Sequence, residues 1–376
     1  LLFAVSDVAE TILYILLALV VLLVMITIHE AGHYTAGKIL GFKINEFAIG
    51  MGPKLFSRKK KNGEVFSVRL FPLGGYCAFE GEDENMPDSP DAFNSQKPWK
   101  RIIVLVSGAL FNFISAILIV FIAFWAFGDD ALAIQKVYES SVNYDAYQQG
   151  TGFKEGDIIY KIDGKVVYLV VDVSNYIAGA GDEMDVVVLR ENAQGKREKV
   201  TIENVRKGKF TVDKLDENGN VVLDENGNPV KEEANGWGVQ NAYVKNSFTF
   251  GQALGRSVPY CLRAGGYILE TLGGLITGRV PIKDIGGPIT TIDMTTQVIR
   301  TGFSNVLFLI TLISVNLAVF NLLPLPALDG SRVIFVLIEW IFRKPVNRKV
   351  EGWIHAIGMI LLFGLVILVD VLRYLT

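Results

Sequence analysis

The sequence predicts a polytopic α-helical membrane protein with about four transmembrane helices, a membrane-associated β-hairpin on the cytoplasmic side and an inserted α/β domain on the other side. Hydrophobic residues make up 51% of the 376 residues and are concentrated in long runs without charge. A hairpin-turn signal lies between the first two runs, and a long polar insert separates the second run from the third. This uneven distribution is typical of a membrane protein that carries a folded insert.

Charge-free runs locate the predicted spans. They cover residues 11–28, 102–127, 303–328 and 353–369. Each run is close to or above the roughly 17–25 apolar residues that a helical span requires. The first run is preceded by Asp7 and Glu10 and by no basic segment, so we expect it to be retained and not cleaved as a signal peptide.

The distribution of Lys and Arg predicts the orientation of the spans. The segment between the first two runs contains the basic residues 58–61, and the connection between the last two runs is also basic. Because basic loops stay in the cytoplasm, we expect both termini and the 129–302 insert to be extracytoplasmic. The net charge of −3 gives no support to nucleic-acid binding.

Four regions follow from these boundaries. Residues 1–128 form two spans with a hairpin, and residues 129–246 form an α/β domain. Residues 247–302 form a membrane-surface segment, and residues 303–376 form two further spans. Residues 207–246 are expected to be a plain β extension, because the repeated Leu-Asp-Glu-Asn-Gly-Asn does not have calcium-loop spacing. A surface helix is favoured for residues 248–280, because Arg256, Arg263 and Glu270 form one polar stripe that would be costly inside a bilayer.

The hairpin signal lies in residues 54–76, where two alternating apolar runs flank Asn62-Gly63. Such a hairpin could simply link two spans. The apolar stretch 71–76 instead favours a position at the membrane, since contiguous apolar patches are seldom left in free loops.

A candidate metal site lies at the end of the first span. His29 and His33 are four residues apart and therefore share one face of a helix, with Glu30 beside them. Imidazole is a common ligand of Zn²⁺, and a catalytic zinc site needs three protein ligands and one open position. Ionisable groups inside a span are costly and usually functional. The two cysteines, Cys77 and Cys261, are too few for a Cys-based site.

The third ligand must come from elsewhere in the chain. Ile39 occupies the position at which one class of soluble zinc proteases has a third histidine. Glu46 is a candidate, but a loop separates it from the motif. Asp329 is the best candidate, because it follows the third run where Pro324 and Pro326 interrupt helical hydrogen bonding. The alternative for Asp329 is a helix cap at the membrane interface.

Five stretches, taken together, are similar to one known family. They are HEAGH at 29–33, FPLGGY at 71–76, GALFN at 108–112, GFKEGD with IDG at 152–164 and NLLPLPALDG at 321–330. In this order they resemble the motifs of the site-2 proteases, specifically the bacterial RseP/RasP type with one PDZ domain. The resemblance covers nearly the whole chain. Ser331-Arg332 stands where the group usually has Gly-His, and the 207–246 extension has no counterpart that we can place.

The resemblance implies a zinc-dependent intramembrane endopeptidase of the bacterial cytoplasmic membrane. Its expected partners are membrane lipid and transmembrane protein substrates, such as anti-sigma factors or remnant signal peptides, which another protease has already cut in regulated intramembrane proteolysis. It implies that His29, His33 and Asp329 bind Zn²⁺ and that Glu30 is the general base. It also implies a PDZ domain in the insert.

Candidate substrate contacts lie in two places. The resemblance places Asn321 against the unwound substrate, with Pro324 and Pro326 beside it, although Asn321 could equally bond to a carbonyl of its own helix. Gly108 and Asn112 are better explained by close helix packing.

The second candidate substrate contact is the distal strand of the hairpin. We expect residues 65–71 to present a free edge, so that the backbone at Val68, Arg69 and Leu70 pairs with a substrate segment. The alternative is that the hairpin is only a linker.

Two other functions are less well supported. A non-catalytic membrane adaptor with a peptide-binding PDZ domain and a structural metal would need four protein ligands, and the sequence offers three. A metal transporter would need ionisable residues in several spans, but the second and fourth runs contain no acidic residue.

Overall fold

The computed structural model describes the chain except for residues 1, 83–88, 217–219, 282–287, 345 and 376. It divides into two compact units, Leu1–Ala123 with Leu254–Thr376, and Phe124–Ala253. The helices are α1 (Leu2–Leu40), α2 (Pro98–Phe127), α3 (Tyr144–Gln148), α4 (Val170–Gly179), α5 (Phe250–Ile276), α6 (Pro288–Thr301), α7 (Phe303–Leu322), α8 (Asp329–Phe342) and α9 (Arg348–Leu375). The strands are β1 (Ile44–Lys59), β2 (Val65–Phe79), β3 (Asp129–Val137), β4 (Ile158–Ile162), β5 (Lys165–Val166), β6 (Glu183–Glu191), β7 (Arg197–Arg206), β8 (Gly208–Asp213), β9 (Lys231–Gly236) and β10 (Val239–Asn246).

Four helical segments of the described chain are long and apolar enough to cross a membrane, which confirms the predicted number of spans. They are Ile12–Leu40, Pro98–Phe127, Phe303–Leu322 and Lys349–Val369. The third segment ends at Leu322, six residues before the end of the apolar run predicted for it. Prolines at 324 and 326 lack the N–H that would continue the helix. The connection between the third and fourth segments contains helix α8.

The predicted hairpin is longer than expected, because β1 begins at Ile44. Both strands bend, and β1 does so at Gly50 and Gly52, which each have φ +83°. Residue Ala48 consequently pairs with both Tyr76 and Ser67. The hairpin therefore folds into four strand segments, with residues 75–79 and 54–59 on the outside.

The expected free edge at residues 65–71 is wrong for residues 65–68. Val68 pairs with Ile49 on one side and with Phe56 on the other, and Ser67 is likewise paired on both sides. The bend of β1 brings its two halves to opposite sides of β2, which an alternating pattern read along the sequence does not reveal.

The second unit contains an antiparallel sheet in the order β10-β3-β4-β6-β7, with β5 paired to β4. The helices α3 and α4 belong to this unit. Its core includes Phe153, Ile162, Val186 and Trp237. The β structure expected of the extension is present as the pair β8 and β9. Whether this α/β unit is a PDZ domain stays a prediction.

The predicted surface helix is present as α5. Its Arg263 Nη1 lies 2.9 Å from Glu270 Oε1, as expected for charges that share one face. Leu254, Val258 and Leu262 are exposed along another side of the helix. The position of α5 at a membrane surface stays a prediction.

Candidate metal centre

Helix α1 continues past the apolar run and carries the HEAGH motif in its interior. His29 and His33 lie one turn apart and are both buried, with 7% of each residue exposed. Their Nε2 atoms are 3.1 Å from each other. Regular helix geometry therefore directs both imidazoles to one point.

Asp329 is brought to the same point by the start of α8. Its Oδ2 lies 2.9 Å from His29 Nε2 and 3.3 Å from His33 Nε2. Among the described His, Cys, Asp and Glu residues, these form a group of three whose ligand atoms all lie within 4.8 Å of one another. The structure thus brings together the three ligands predicted from sequence.

This donor set fits zinc. Nitrogen and oxygen ligands bound at about 2.0–2.1 Å to a tetrahedral ion lie about 3.3 Å apart, close to the spacing of these three atoms. His33 Nδ1 is 2.8 Å from the carbonyl oxygen of Val104, to which it donates. That bond leaves the Nε2 lone pair of His33 free for a metal. A histidine that binds a metal usually donates its other ring N–H to a neighbouring acceptor in this way.

Helix α2 closes one side of the centre through a glycine. A Cβ atom at Gly108 would lie 2.5 Å from His33 Nε2 and 2.7 Å from His29 Cε1. A Cβ atom at Gly32 would similarly collide with the backbone of Ser107. The packing role favoured for Gly108 is therefore confirmed. Asn112, one turn further along α2, is fully buried and accepts a 2.7 Å bond from Ser314 Oγ at its backbone oxygen.

The irregular segment before Asp329 is fixed by close packing. The residue after Asp329 must be a glycine, because a Cβ atom at Gly330 would collide with the carbonyl oxygens of Leu322 and Leu323. Ser331 Oγ donates to the oxygen of Leu328 at 2.8 Å. Asp329 is the first residue of α8, so its position depends on this turn.

Glu30 faces the outer segment of the hairpin. A Cβ atom at Gly75 would be 3.5 Å from Glu30 Cγ, and the backbone of Cys77 interacts with the Glu30 carboxyl group. Sequence reasoning expected a substrate segment to pair with residues 68–70 and did not predict that Gly75 and Cys77 lie beside Glu30. The only available signal was the Gly74-Gly75 pair, which permits a close approach to a neighbouring helix.

The hairpin residues predicted to bind substrate have other partners. Arg69 donates to the oxygen of Gly52 at 2.7 Å, to Glu46 Oε1 at 2.9 Å and to the Tyr76 hydroxyl. Val68 is paired on both sides, whereas Leu70 is 48% exposed. Arg69 thus holds the bent sheet together.

Glu46, the weaker candidate for a third ligand, is also engaged in the sheet. Burial by itself would raise the pKa of Glu46, but hydrogen bonds from Ser67, Arg69 and Lys54 hold this pKa at about 2. The carboxylate is therefore charged and already satisfied, and it is not part of the group formed by the histidines and Asp329.

The remaining predicted contacts lie at the end of α7. Asn321 Nδ2 donates to the oxygen of Leu317 at 2.9 Å, which is the intrahelical alternative that the sequence left open. Pro324 is exposed, and Pro326 packs against Gly358 of α9. No pattern in the sequence connects α9 with this turn.

Comparison with known proteins identifies the family. A profile of Peptidase family M50 matches residues 17–365. A Clostridium perfringens protein named "Putative zinc metalloprotease" is 33% identical over 96% of this chain and 98% of its own length. A Fusobacterium nucleatum protein of the same description is 31% identical over 95% of this chain and 97% of its own. The zinc metalloprotease RasP of Bacillus licheniformis is 27% identical over 92% and 94%. The chain therefore belongs to Peptidase family M50 and is a membrane-bound zinc metalloprotease of the site-2 protease type.

Proposed function

We propose that this protein cleaves peptide bonds within transmembrane segments, with His29, His33 and Asp329 as zinc ligands and Glu30 as the general base. The observation that carries the proposal is the convergence of three ligand atoms within 3.3 Å of each other at the end of an apolar helix. When bound, zinc supplies a Lewis acid that polarises the scissile carbonyl and lowers the pKa of water.

Glu30 performs the proton transfers in this proposal. It follows His29 in α1, and its carboxyl group lies beside Gly75 and Cys77. From there it takes a proton from the attacking water and returns it to the leaving amide nitrogen, as a positioned general base does. The neighbouring strand segment limits the directions in which the carboxyl group can turn.

The hairpin has a proposed role in opening the substrate. A carbonyl within a substrate helix is already hydrogen-bonded, so the helix must unwind before cleavage. Residues 75–79 have strand partners in residues 44–49 on one side and lie next to Glu30. A substrate strand added near this segment would regain some of the hydrogen bonds lost on unwinding. Leu70 remains a candidate contact, together with Asn321, Pro324 and Pro326.

The proposed setting is the bacterial cytoplasmic membrane, with both termini and the α/β unit on the outside. The basic residues 58–61 support this orientation through the positive-inside rule. In this position the unit, proposed to be a PDZ domain, would meet the external remnant of a substrate. Anti-sigma factors and remnant signal peptides that another protease has already cut are the proposed substrates.

The adaptor alternative predicts a closed metal site. Such a site has four protein ligands, whereas the described residues supply three, with a carboxyl group adjacent. The decisive experiment is cleavage of a tagged membrane-spanning substrate by the wild type, by Glu30→Gln and by the wild type with a zinc chelator. The protease proposal is supported if only the wild type without chelator cleaves the substrate and Glu30→Gln still binds zinc. Near-normal cleavage by Glu30→Gln overturns the proposed role of Glu30.

A further inference from the structure

The third histidine of the chain lies in α9 and contacts the turn that precedes Asp329. Its Nδ1 atom is 3.0 Å from the backbone nitrogen of Ala327, which donates to it. Because Nδ1 accepts this bond, the ring proton is on Nε2, which is buried and faces Glu351 Oε1 at 3.8 Å. The ring also packs edge-on against Phe335 of α8, with centroids 5.7 Å apart. His355 therefore touches both the turn and the helix that carries the ligand.

The bond is made to a strained residue. Ala327 has φ +77°, a left-handed conformation that residues with a side chain rarely adopt. Such a conformation persists only where surrounding contacts hold it. Asp329 follows two residues later, so the backbone direction at Ala327 sets the direction from which the carboxylate approaches the histidines.

A second contact from α9 holds the same turn. Gly358 lies one turn after His355, and a Cβ atom there would collide with the ring of Pro326. One side of α9 thus offers a hydrogen-bond acceptor to Ala327 and a cleft to Pro326. Two adjacent residues of the turn are fixed by one helix.

We propose that His355 is a positioning residue for the metal centre: by accepting the Ala327 N–H it holds the turn in the one conformation that places Asp329 against His29 and His33. This inference rests on the proposed zinc site. His355 is not itself a ligand, since it acts through the backbone of the turn.

The test measures zinc affinity directly, by competition with a chromogenic chelator, in full-length detergent-solubilised protein that carries Glu30→Gln. His355→Phe keeps a ring against Phe335 but removes the acceptor, and we expect the zinc dissociation constant to rise about tenfold or more. His355→Gln keeps an acceptor without the ring, and its zinc dissociation constant should stay within about threefold of that of the parent. The matched control is Ile357→Ala, an exposed position of the same helix, which should leave affinity unchanged.

Unchanged affinity in His355→Phe, or equal losses in the Phe and Gln variants, would overturn the inference. If His355→Phe does not fold, His355→Leu removes the acceptor with less bulk and is judged by the same criterion. Gly358→Ala should also weaken zinc binding, because its methyl group would displace Pro326 of the same turn. In otherwise wild-type protein, added zinc should restore part of the cleavage lost in His355→Phe, which a defect in substrate binding would not allow. A parent protein that binds no zinc would instead refute the proposed function.

Discussion

The two halves of the proposed metal centre are built by different means. His29 and His33 lie within the regular helix α1, so their separation follows from 3.6 residues per turn. Asp329 follows an irregular turn whose residue Ala327 has φ +77°. One half of the centre is a property of local helix geometry, and the other half depends on what packs around a non-helical segment.

This difference indicates where each half is vulnerable. The helical half is disturbed chiefly by atoms that enter from α2, where Gly108 leaves no spare space. The other half depends on distant partners, namely His355 of α9 and the ion pairs that hold α8. In these pairs Arg332 bonds to Glu82, and Arg101 Nη1 lies 2.8 Å from Glu339 Oε2. Substitutions far from the motif should therefore affect the Asp329 half more than the histidine half.

The largest effect should come from removing the ligand of the irregular half. Asp329→Ala is expected to lose both bound zinc and cleavage, because a catalytic zinc site needs three protein ligands and only the two histidines would remain. Metal content by atomic spectroscopy and cleavage of a tagged substrate measure the two losses. Ile341→Ala, at an exposed position of the same helix, should retain zinc. Stoichiometric zinc in Asp329→Ala would exclude Asp329 as a ligand and leave the centre to α1 alone.

The next largest effect tests the helical half. Gly108→Ala places a methyl group against both imidazoles, so we expect zinc affinity to fall about tenfold to hundredfold, with a matching loss of activity. Gly364→Ala is the matched control, because it is also a helical glycine but a Cβ atom there meets nothing within 4 Å. Equal behaviour of the two variants would show that α1 and α2 adjust more readily than their close contact implies.

The same contrast explains what sequence could predict. The spacing of His29 and His33 is local, and the four apolar runs can be recognised directly in the sequence. Asp329 could be selected because a carboxylate after two prolines at membrane depth needs a partner. The role of His355 could not be predicted, since a lone histidine in an apolar run gives no sign of its partner. The two-sided pairing of Val68 was missed because it depends on bends in both strands.

A smaller effect is expected from the ion pair between Arg332 and Glu82. It joins α8, one turn after the ligand, to the segment that follows β2. Glu82→Gln should reduce cleavage about threefold to tenfold, within the range of coupling between contacting residues, by loosening α8. In a double-mutant cycle, the double variant Arg332→Glu with Glu82→Arg should recover part of the cleavage that each of these two single substitutions loses. Additive single effects would show that the pair does not help to position Asp329.

The smallest expected effect on activity, but a distinct effect on stability, concerns the far end of α1. Glu64 follows the hairpin turn and is 2% exposed. It accepts bonds from Lys60 at 2.7 Å and from Tyr34 at 2.9 Å, and it also pairs with Lys38. Burial alone would raise the pKa of Glu64, but its bonds to Lys38, Lys60 and Asn62 hold this pKa at about 2. The charged carboxylate therefore ties the hairpin to the helix that carries the histidines.

A group whose pKa is lowered on folding contributes stability above its ordinary pKa, here 4.5, and loses that contribution as pH falls through about 2. Glu64→Gln should accordingly lower the thermal midpoint at pH 7 by about 2–5 °C, and the difference from wild type should shrink between pH 4.5 and pH 2. Thermal unfolding in detergent at several pH values measures this difference. Glu232→Gln, at an exposed position of the second unit, should show no such trend. Since the separation of His29 and His33 is set within α1, Glu64→Gln should keep its zinc affinity at pH 7. A loss of zinc there would mean that the histidine half also depends on distant contacts, and the contrast between the two halves would fail.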